Sequence, residues 1–295
     1  MEYKNYAWLS LFLLTATLNP ISIVWNFRIA QVTKQPIFGL ATKQQHTVLA
    51  LLFDEYIKKR SGQRQNFGGG LGAFIYDFDD YYVRIDAAVS HIKEVVDHVT
   101  TFSGTETDDL LFTLGRNCRI NDKALVTVSG LLGLPTHKVY RLQHLDFGYS
   151  QVGLGLQVDG SYACTNQGDF LYGARYIYFA PRRACDVLRN RYKLTIGNVI
   201  DFLLAYKQTW NKHGLEVGYT SRTDFGAHIC PNLNNFAEKT NYVRSSFYAV
   251  YKYKFHVNNV AHRFLFNISY GLDHKPKTFG DKYAITLWAA WDIGF

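Results

Sequence analysis

The sequence predicts an all-β fold: a transmembrane antiparallel up-and-down β-barrel of about 12 strands. Three observations carry that expectation. The 295 residues are 47% hydrophobic and 16% aromatic but only 19% charged, against roughly 25% charged in an ordinary soluble domain. An aromatic content of 21 Tyr, 21 Phe and 5 Trp excludes a disordered, solvating chain. Mean hydropathy is −0.13, and the repeated apolar runs of about 20 residues that a helical membrane bundle needs are absent. From residue 46 onward apolar side chains recur at every second position, the period of a strand.

At the N-terminus, Lys4 precedes an apolar core from Tyr6 to Leu18 that Asn19-Pro20 terminates. A positive charge, a core of roughly 7 to 15 residues and a breaker read as a signal peptide over 1–22, although no clean A-x-A marks the cut. The alternative, an uncleaved anchor, needs a core nearer ~20 residues. Residues 23–45 are a periplasmic lead-in, a plug, or an extra strand around Trp25 to Ile29.

Residues 46–295 form the barrel. Alternation marks 12 segments: 47–56, 67–77, 81–92, 109–117, 123–134, 149–160, 169–179, 192–207, 213–224, 242–256, 260–271 and 282–295. The last is the clearest: Tyr283, Ile285, Leu287, Ala289, Trp291, Ile293 and Phe295 share one apolar parity, while Lys282, Ala284, Thr286, Trp288, Ala290, Asp292 and Gly294 form a mixed one. Most segments reach the ~9 to 11 residues of a tilted transmembrane strand, longer than the usual 5 to 6 of globular sheets. A soluble exported sandwich also alternates, but with shorter strands. The connections alternate in length. All but one of the even-numbered ones, 161–168 being the exception, have five residues or fewer, and every odd-numbered one has ten or more. Outer-membrane barrels alternate short periplasmic turns and long outside loops in this way. Both barrel termini are then expected at the periplasmic side.

The terminal stretch WAAWDIGF, with Trp291 and Ile293 on the apolar parity before Phe295, resembles the C-terminal signature of Gram-negative outer-membrane β-barrel proteins. The resemblance covers the last strand only, and Ile293 departs from the aromatic often found there. It implies recognition by the barrel-assembly machinery and an outer-membrane location.

If the apolar parity meets lipid, the other parity lines a lumen. Its mid-strand charges are Arg84, Arg175, Lys193, Arg244, Lys252 and Arg263 against Asp86, Asp201 and Glu216. That excess would bias a water-filled pore toward small anionic solutes; salt-bridged charges in a closed barrel are the alternative. Glycines assigned to the same parity are Gly68, Gly70, Gly72, Gly153, Gly155, Gly173, Gly197, Gly214 and Gly218. Barrels of about eight strands are filled by side chains and those of about sixteen conduct, so 12 lies between.

Basic outer loops, with Lys58, Lys59, Arg60 and Arg64 in the first and Arg182, Arg183, Arg189 and Arg191 in the fourth, suit phosphates of surface glycolipid. Nucleic acid is not expected at a surface barrel, despite the net charge of +8. An exported chain with four Cys invites disulfides, and the topology selects Cys118 with Cys164 and Cys185 with Cys230 as neighbours on opposite membrane faces, with free thiols as the alternative. No catalytic, metal or cofactor motif is present. The GGGLG run at 68–72 reads as strand rather than phosphate loop, and Asn267-Ile268-Ser269 lies mid-strand. An outer-rim hydrolase would draw on Asp108-Asp109, Asp224 and His228, where carboxylates could activate water. The functional expectations are therefore a narrow channel with mild anion preference, a non-conducting structural or adhesive barrel acting through its loops, or that rim enzyme.

Overall fold

The computed structural model describes residues 46–59, 64–96, 99–107, 110–135, 152–180, 182–185, 191–195, 198–225, 228–229, 242–258, 260–275 and 281–294. The expected signal peptide (1–22) and the lead-in or plug (23–45) lie outside them. The described residues contain strands and no α-helix. The strands are β1 (His46–Lys59), β2 (Arg64–Phe78), β3 (Tyr81–Val96), β4 (Val99–Thr107), β5 (Leu110–Arg119), β6 (Ala124–Leu134), β7 (Gly153–Ala163), β8 (Gly168–Phe179), β9 (Arg182–Cys185), β10 (Arg191–Thr195), β11 (Val199–Trp210), β12 (His213–Asp224), β13 (His228–Ile229), β14 (Tyr242–Val257), β15 (Val260–Lys275) and β16 (Asp281–Gly294).

The wall is an antiparallel meander in which each strand pairs with the next, and β16 returns to β1 from Thr47↔Gly294 to Lys58↔Tyr283. β4 and β5 both pair with β3, so they share one place in the wall. With β9, β10 and β13 in a separate three-stranded sheet, the closed barrel has the expected 12 strands. Residue rows climb around it: Phe53, Trp288, Asn267, Val250, Glu216, Lys207 and Asp169 are successive register partners. They run from the middle of β1 to the start of β8, as the strand tilt of a closed barrel requires.

Several expected connections shorten. The exceptional 161–168 becomes a four-residue turn at 164–167, because pairing extends to Ala163↔Asp169. Residues 93–108, expected as an outer loop, are largely a hairpin of β3 with β4. The expected strand 192–207 is broken: β10 pairs with β9 in the separate sheet, and β11 alone joins β8 and β12. At the short-turn end, Asp79, Asn211 and Asn258 have φ of 52°, 51° and 50°, the left-handed region that Asn and Asp tolerate and that tight hairpins favour. At the turn before β6, Asn121 Oδ1 accepts hydrogen bonds from the amides of Lys123 and Ala124, a side-chain turn that stops β5.

The outward parity is apolar and open, with Leu52 at 72%, Leu156 at 66% and Phe247 at 60% exposure. Near the short turns this face carries an aromatic belt: His46 stacks on Tyr76, Tyr76 on Phe78 and Phe78 on Tyr81. Further round, Trp210, His213, Tyr253, Phe255, His262, Phe264 and Trp291 continue it. A second set, Tyr56, Tyr283 and Tyr270, lies toward the loops. Trp291 and Tyr283 are eight residues apart on β16, about 27 Å along a strand and about 20 Å along the barrel axis at a tilt near 40°. Two girdles flanking an apolar band of that order match the interfaces of a bilayer.

Candidate functional site

The candidate site is the barrel interior, which tilt and alternation build from the second parity of all 12 wall strands. Among the described residues, six ion pairs join charged side chains within it. Arg84 donates through Nε to Asp86 Oδ1 and Oδ2 at 2.8 Å, both residues two positions apart on β3. Arg175 on β8 reaches Asp201 on β11 at 2.7 Å, and Lys252 on β14 reaches Glu216 on β12 at 2.5 Å. Tyr248 also donates to Glu216, at 2.9 Å. Arg263 donates through Nε to Asp292 at 2.7 Å, closing β15 onto β16. Lys207 meets Asp169 at 3.2 Å, and Arg244 lies 3.5 Å from Glu55.

The expected lining residues Arg84, Asp86, Arg175, Asp201, Glu216, Arg244, Lys252 and Arg263 thus lie on one face of the wall. Lys193 does not: β10 belongs to the three-stranded sheet, and its side chain is outside the described residues. The charge count also changes. Among described inner-parity side chains that are not exposed, Lys207, Arg222 and Lys254 join the cations, while Glu55, Asp77, Asp159, Asp169 and Asp292 join the anions, so eight stand against eight. Parity along β7, β11 and β16 held the signal for Asp159, Lys207 and Asp292. Glu55 sits in a strand whose two faces are both apolar, where the inner one cannot be told by hydropathy.

The interior mixes apolar and polar groups. Leu49, Leu51, Phe53, Leu71, Val250, Leu265 and Trp288 of β1, β2 and β14–β16 share one buried cluster with Leu171 of β8 and Leu203 of β11, beside the ion pairs of β14–β16. The sector on β5 to β7 carries Thr113, Thr127, Ser129, Gln157 and Asp159, with the apolar Leu111 and Leu131 among them. There Tyr82 spans Gly115 to share a hydrogen bond with Ser129 at 2.7 Å. At the short-turn end this sector opens into a cavity of about 440 Å³ lined by Thr127, Asp159, Ser161, Asp169, Lys207 and Glu216 among others. No group of three potential metal ligands occurs among the described residues.

The glycine assignment needs one correction. Gly153, Gly155, Gly173, Gly214 and Gly218 are on the inner parity, but Gly68, Gly70 and Gly72 face outward. Leu51 pairs with Leu71 and Phe53 with Gly69, which turns the odd positions of β2 inward. Gly197 lies outside the described residues.

The cysteine pairing is corrected as well. Cys118 and Cys164 are free thiols. Cys118 lies within β5 opposite Val126 of β6, whose other partner is Gly160 of β7. A whole strand therefore separates it from the turn holding Cys164. Two inter-strand spacings of about 4.8 Å already exceed the ~7 Å limit for bridged Cα atoms. The Cys185 side chain and Cys230 lie outside the described residues, as do Asp108, Asp109, Phe295 and the side chains of Asp224 and His228. Trp291 and Ile293 face outward on β16, and Trp291 Nε1 donates to His262 Nδ1 at 3.3 Å.

No protein-family model matches the chain, and no curated protein does. Among solved structures, the COG4313 outer membrane channel from Pseudomonas putida F1 superposes with a TM-score of 0.73 at 12% identity, over 86% of this chain and 96% of that one. The translocator domain of the autotransporter NalP from Neisseria meningitidis gives 0.51 at 9% identity, over 92% and 95%. The chain has the fold of the outer-membrane β-barrel proteins. Sequence alternation, girdles, strand closure and superposition agree on that fold.

Proposed function

We propose that the chain resides in an outer membrane, with short turns toward the periplasm and loops outside, and forms a narrow diffusion channel for small polar solutes. The observation that carries this reading is the cavity at the short-turn mouth, which Thr127, Asp159, Ser161, Asp169, Lys207 and Glu216 line with polar and charged groups. Charged side chains that salt-bridge along the wall project little net charge toward a permeating solute. The mild anion preference drawn from six cations and three anions is not carried forward. Eight against eight inner charges set no strong field on a permeating ion.

Reconstitution into a planar bilayer tests the reading. The expected result is discrete, small conductance steps, with a chloride to potassium permeability ratio within about threefold of one. Absence of steps from protein that migrates as a folded barrel overturns the channel and leaves a structural or adhesive barrel. Two contacts belong to the same proposal. β16, with Trp291 and Ile293, is the strand offered to the assembly machinery. Lys58 and Arg64 are register partners at the loop end, and their charges would suit glycolipid phosphate.

A further inference from the structure

We infer that the loop-side half of the barrel interior holds a small inorganic anion of halide size, bound by Thr220, Ser246, Arg222 and Arg244. Two orphaned hydroxyls define the place. Thr220 Oγ1 and Ser246 Oγ have no hydrogen-bond partner, although these residues are only 5% and 1% exposed. Leaving a buried polar atom unsatisfied is costly, and a bound ion or water relieves that cost. The two hydroxyls share one spot, since Thr220 of β12 and Ser246 of β14 are register partners.

Register also builds the space beside them. From Ser246 the same row runs to Gly271 of β15 and Ala284 of β16, so four neighbouring strands present nothing larger than threonine to the interior. A recess results, at the level of the loop-side aromatic set, because Tyr270 and Tyr283 immediately precede Gly271 and Ala284. Gly271 marks its floor. A Cβ there would lie 2.9 Å from Ser246 Oγ and 3.7 Å from Arg244 Cδ, so the hydroxyl and the arginine stem converge over the glycine. Arg244 lies 3.5 Å from Glu55, and β15 and β16 stand between their strands, so the pair spans the recess above Gly271 and Ala284.

Charge decides the occupant. One inner position toward the loops, Arg222 and Arg244 are register partners, and like charges directly opposite are destabilising. The nearby carboxylates are shared with other donors: Asp201 accepts from Arg175 Nε and Nη2 at 2.9 and 2.7 Å, and Glu55 accepts from Thr286 at 3.2 Å. Asp273 is the register partner of Arg244 on β15, with its side chain outside the described residues. Guanidinium groups donate and never accept, and each hydroxyl has a proton to give. A halide accepts from all of these donors, whereas a water must also donate. The closed recess excludes an organic anion. The balance of eight against eight describes the whole interior, while here two cations face one small space.

Halide-dependent stability of the folded full chain in phospholipid vesicles tests the site. Chloride replaces gluconate at constant ionic strength, and urea unfolding is followed by tryptophan fluorescence. A ligand that binds the folded state alone raises the folding equilibrium constant by the factor 1 + [L]/Kd. The expected result is a rise of at least about threefold in the parent, lost in Thr220→Val/Ser246→Ala, which keeps every charge. If that variant does not migrate on gels as a folded barrel, Gly271→Ala replaces it, since the added methyl fills the recess and removes neither charge nor hydroxyl. Equal stability of the parent in the two salts overturns the anion and leaves a buried water. A chloride effect that survives in the variants overturns the site. A chloride effect seen in Asp273→Asn but not in the parent makes that carboxylate the occupant and also overturns the proposal. Silent bilayers would sink the channel and leave this site standing, because none of these readouts depends on conduction.

Discussion

Removing the charge of Glu216 while leaving its shape, as Glu216→Gln, strands the Lys252 ammonium in the wall. The two side chains are each 2% exposed and 2.5 Å apart, and Tyr248 adds a third contact at 2.9 Å. Breaking a buried pair by deleting one partner costs about 3 to 5 kcal/mol, because the other charge keeps its desolvation penalty. Glu216 also lines the mouth cavity, where water can approach, so the lower figure of about 3 kcal/mol applies, roughly a 150-fold change in the folding equilibrium. The double replacement Glu216→Gln with Lys252→Met removes both charges and is expected to cost less than about 1.5 kcal/mol, for a coupling near 2 kcal/mol or more. Urea titration in phospholipid vesicles, followed by tryptophan fluorescence and gel migration, measures all four corners of the cycle. Additive costs, or a single variant within about 1 kcal/mol of the parent, would refute the claim that the interior charges are held as desolvated pairs.

Three further outcomes are expected in the same assay. A Cβ at Gly155 meets the backbone oxygen of Tyr176 at 2.8 Å, whereas at Gly72 it meets nothing within 4 Å; Gly155→Ala should cost about 1 to 3 kcal/mol and Gly72→Ala should be neutral or stabilising by up to about 1 kcal/mol. Asn258 has φ of 50°, so Asn258→Val should lower stability by about 1 to 2 kcal/mol and Asn258→Gly should not. Leu287 is half exposed on the outward face; Leu287→Arg should cost about 2 to 4 kcal/mol in a bilayer and little in a mixed micelle that lets the side chain reach water.

Strand number, lipid face and the closing strand could be read from alternation alone, because Phe247, Ile268 and Leu287 each sit among apolar neighbours of one parity facing polar ones. β1 resisted that reading. Its Val48, Ala50 and Leu52 face out while Leu49, Leu51 and Phe53 face in, and a run apolar on both sides carries no parity. The glycines of β2 failed for a related reason, since GGGLG has one side chain to orient it and that one, Leu71, turns inward. The ion pairs depend on register, which hydropathy does not contain. Arg175 with Asp201, and Arg244 with Glu55, are joined by strand offsets that only pairing fixes. The expected pairing of Cys118 with Cys164 failed through a miscounted turn, since the strand end at Arg119 placed Cys118 inside the wall.

The junction of β1 with β16 ties residue 47 to residue 294, nearly the whole length of the polypeptide. Until β16 is available, β1 and β15 each present an edge of unsatisfied amides and carbonyls, a template for pairing with foreign chains. Ring closure is therefore the latest and most non-local event of maturation. A stop that removes β16 would leave an open ribbon rather than a slightly smaller cylinder, and the cell would meet it as an aggregation problem rather than as a weakened pore.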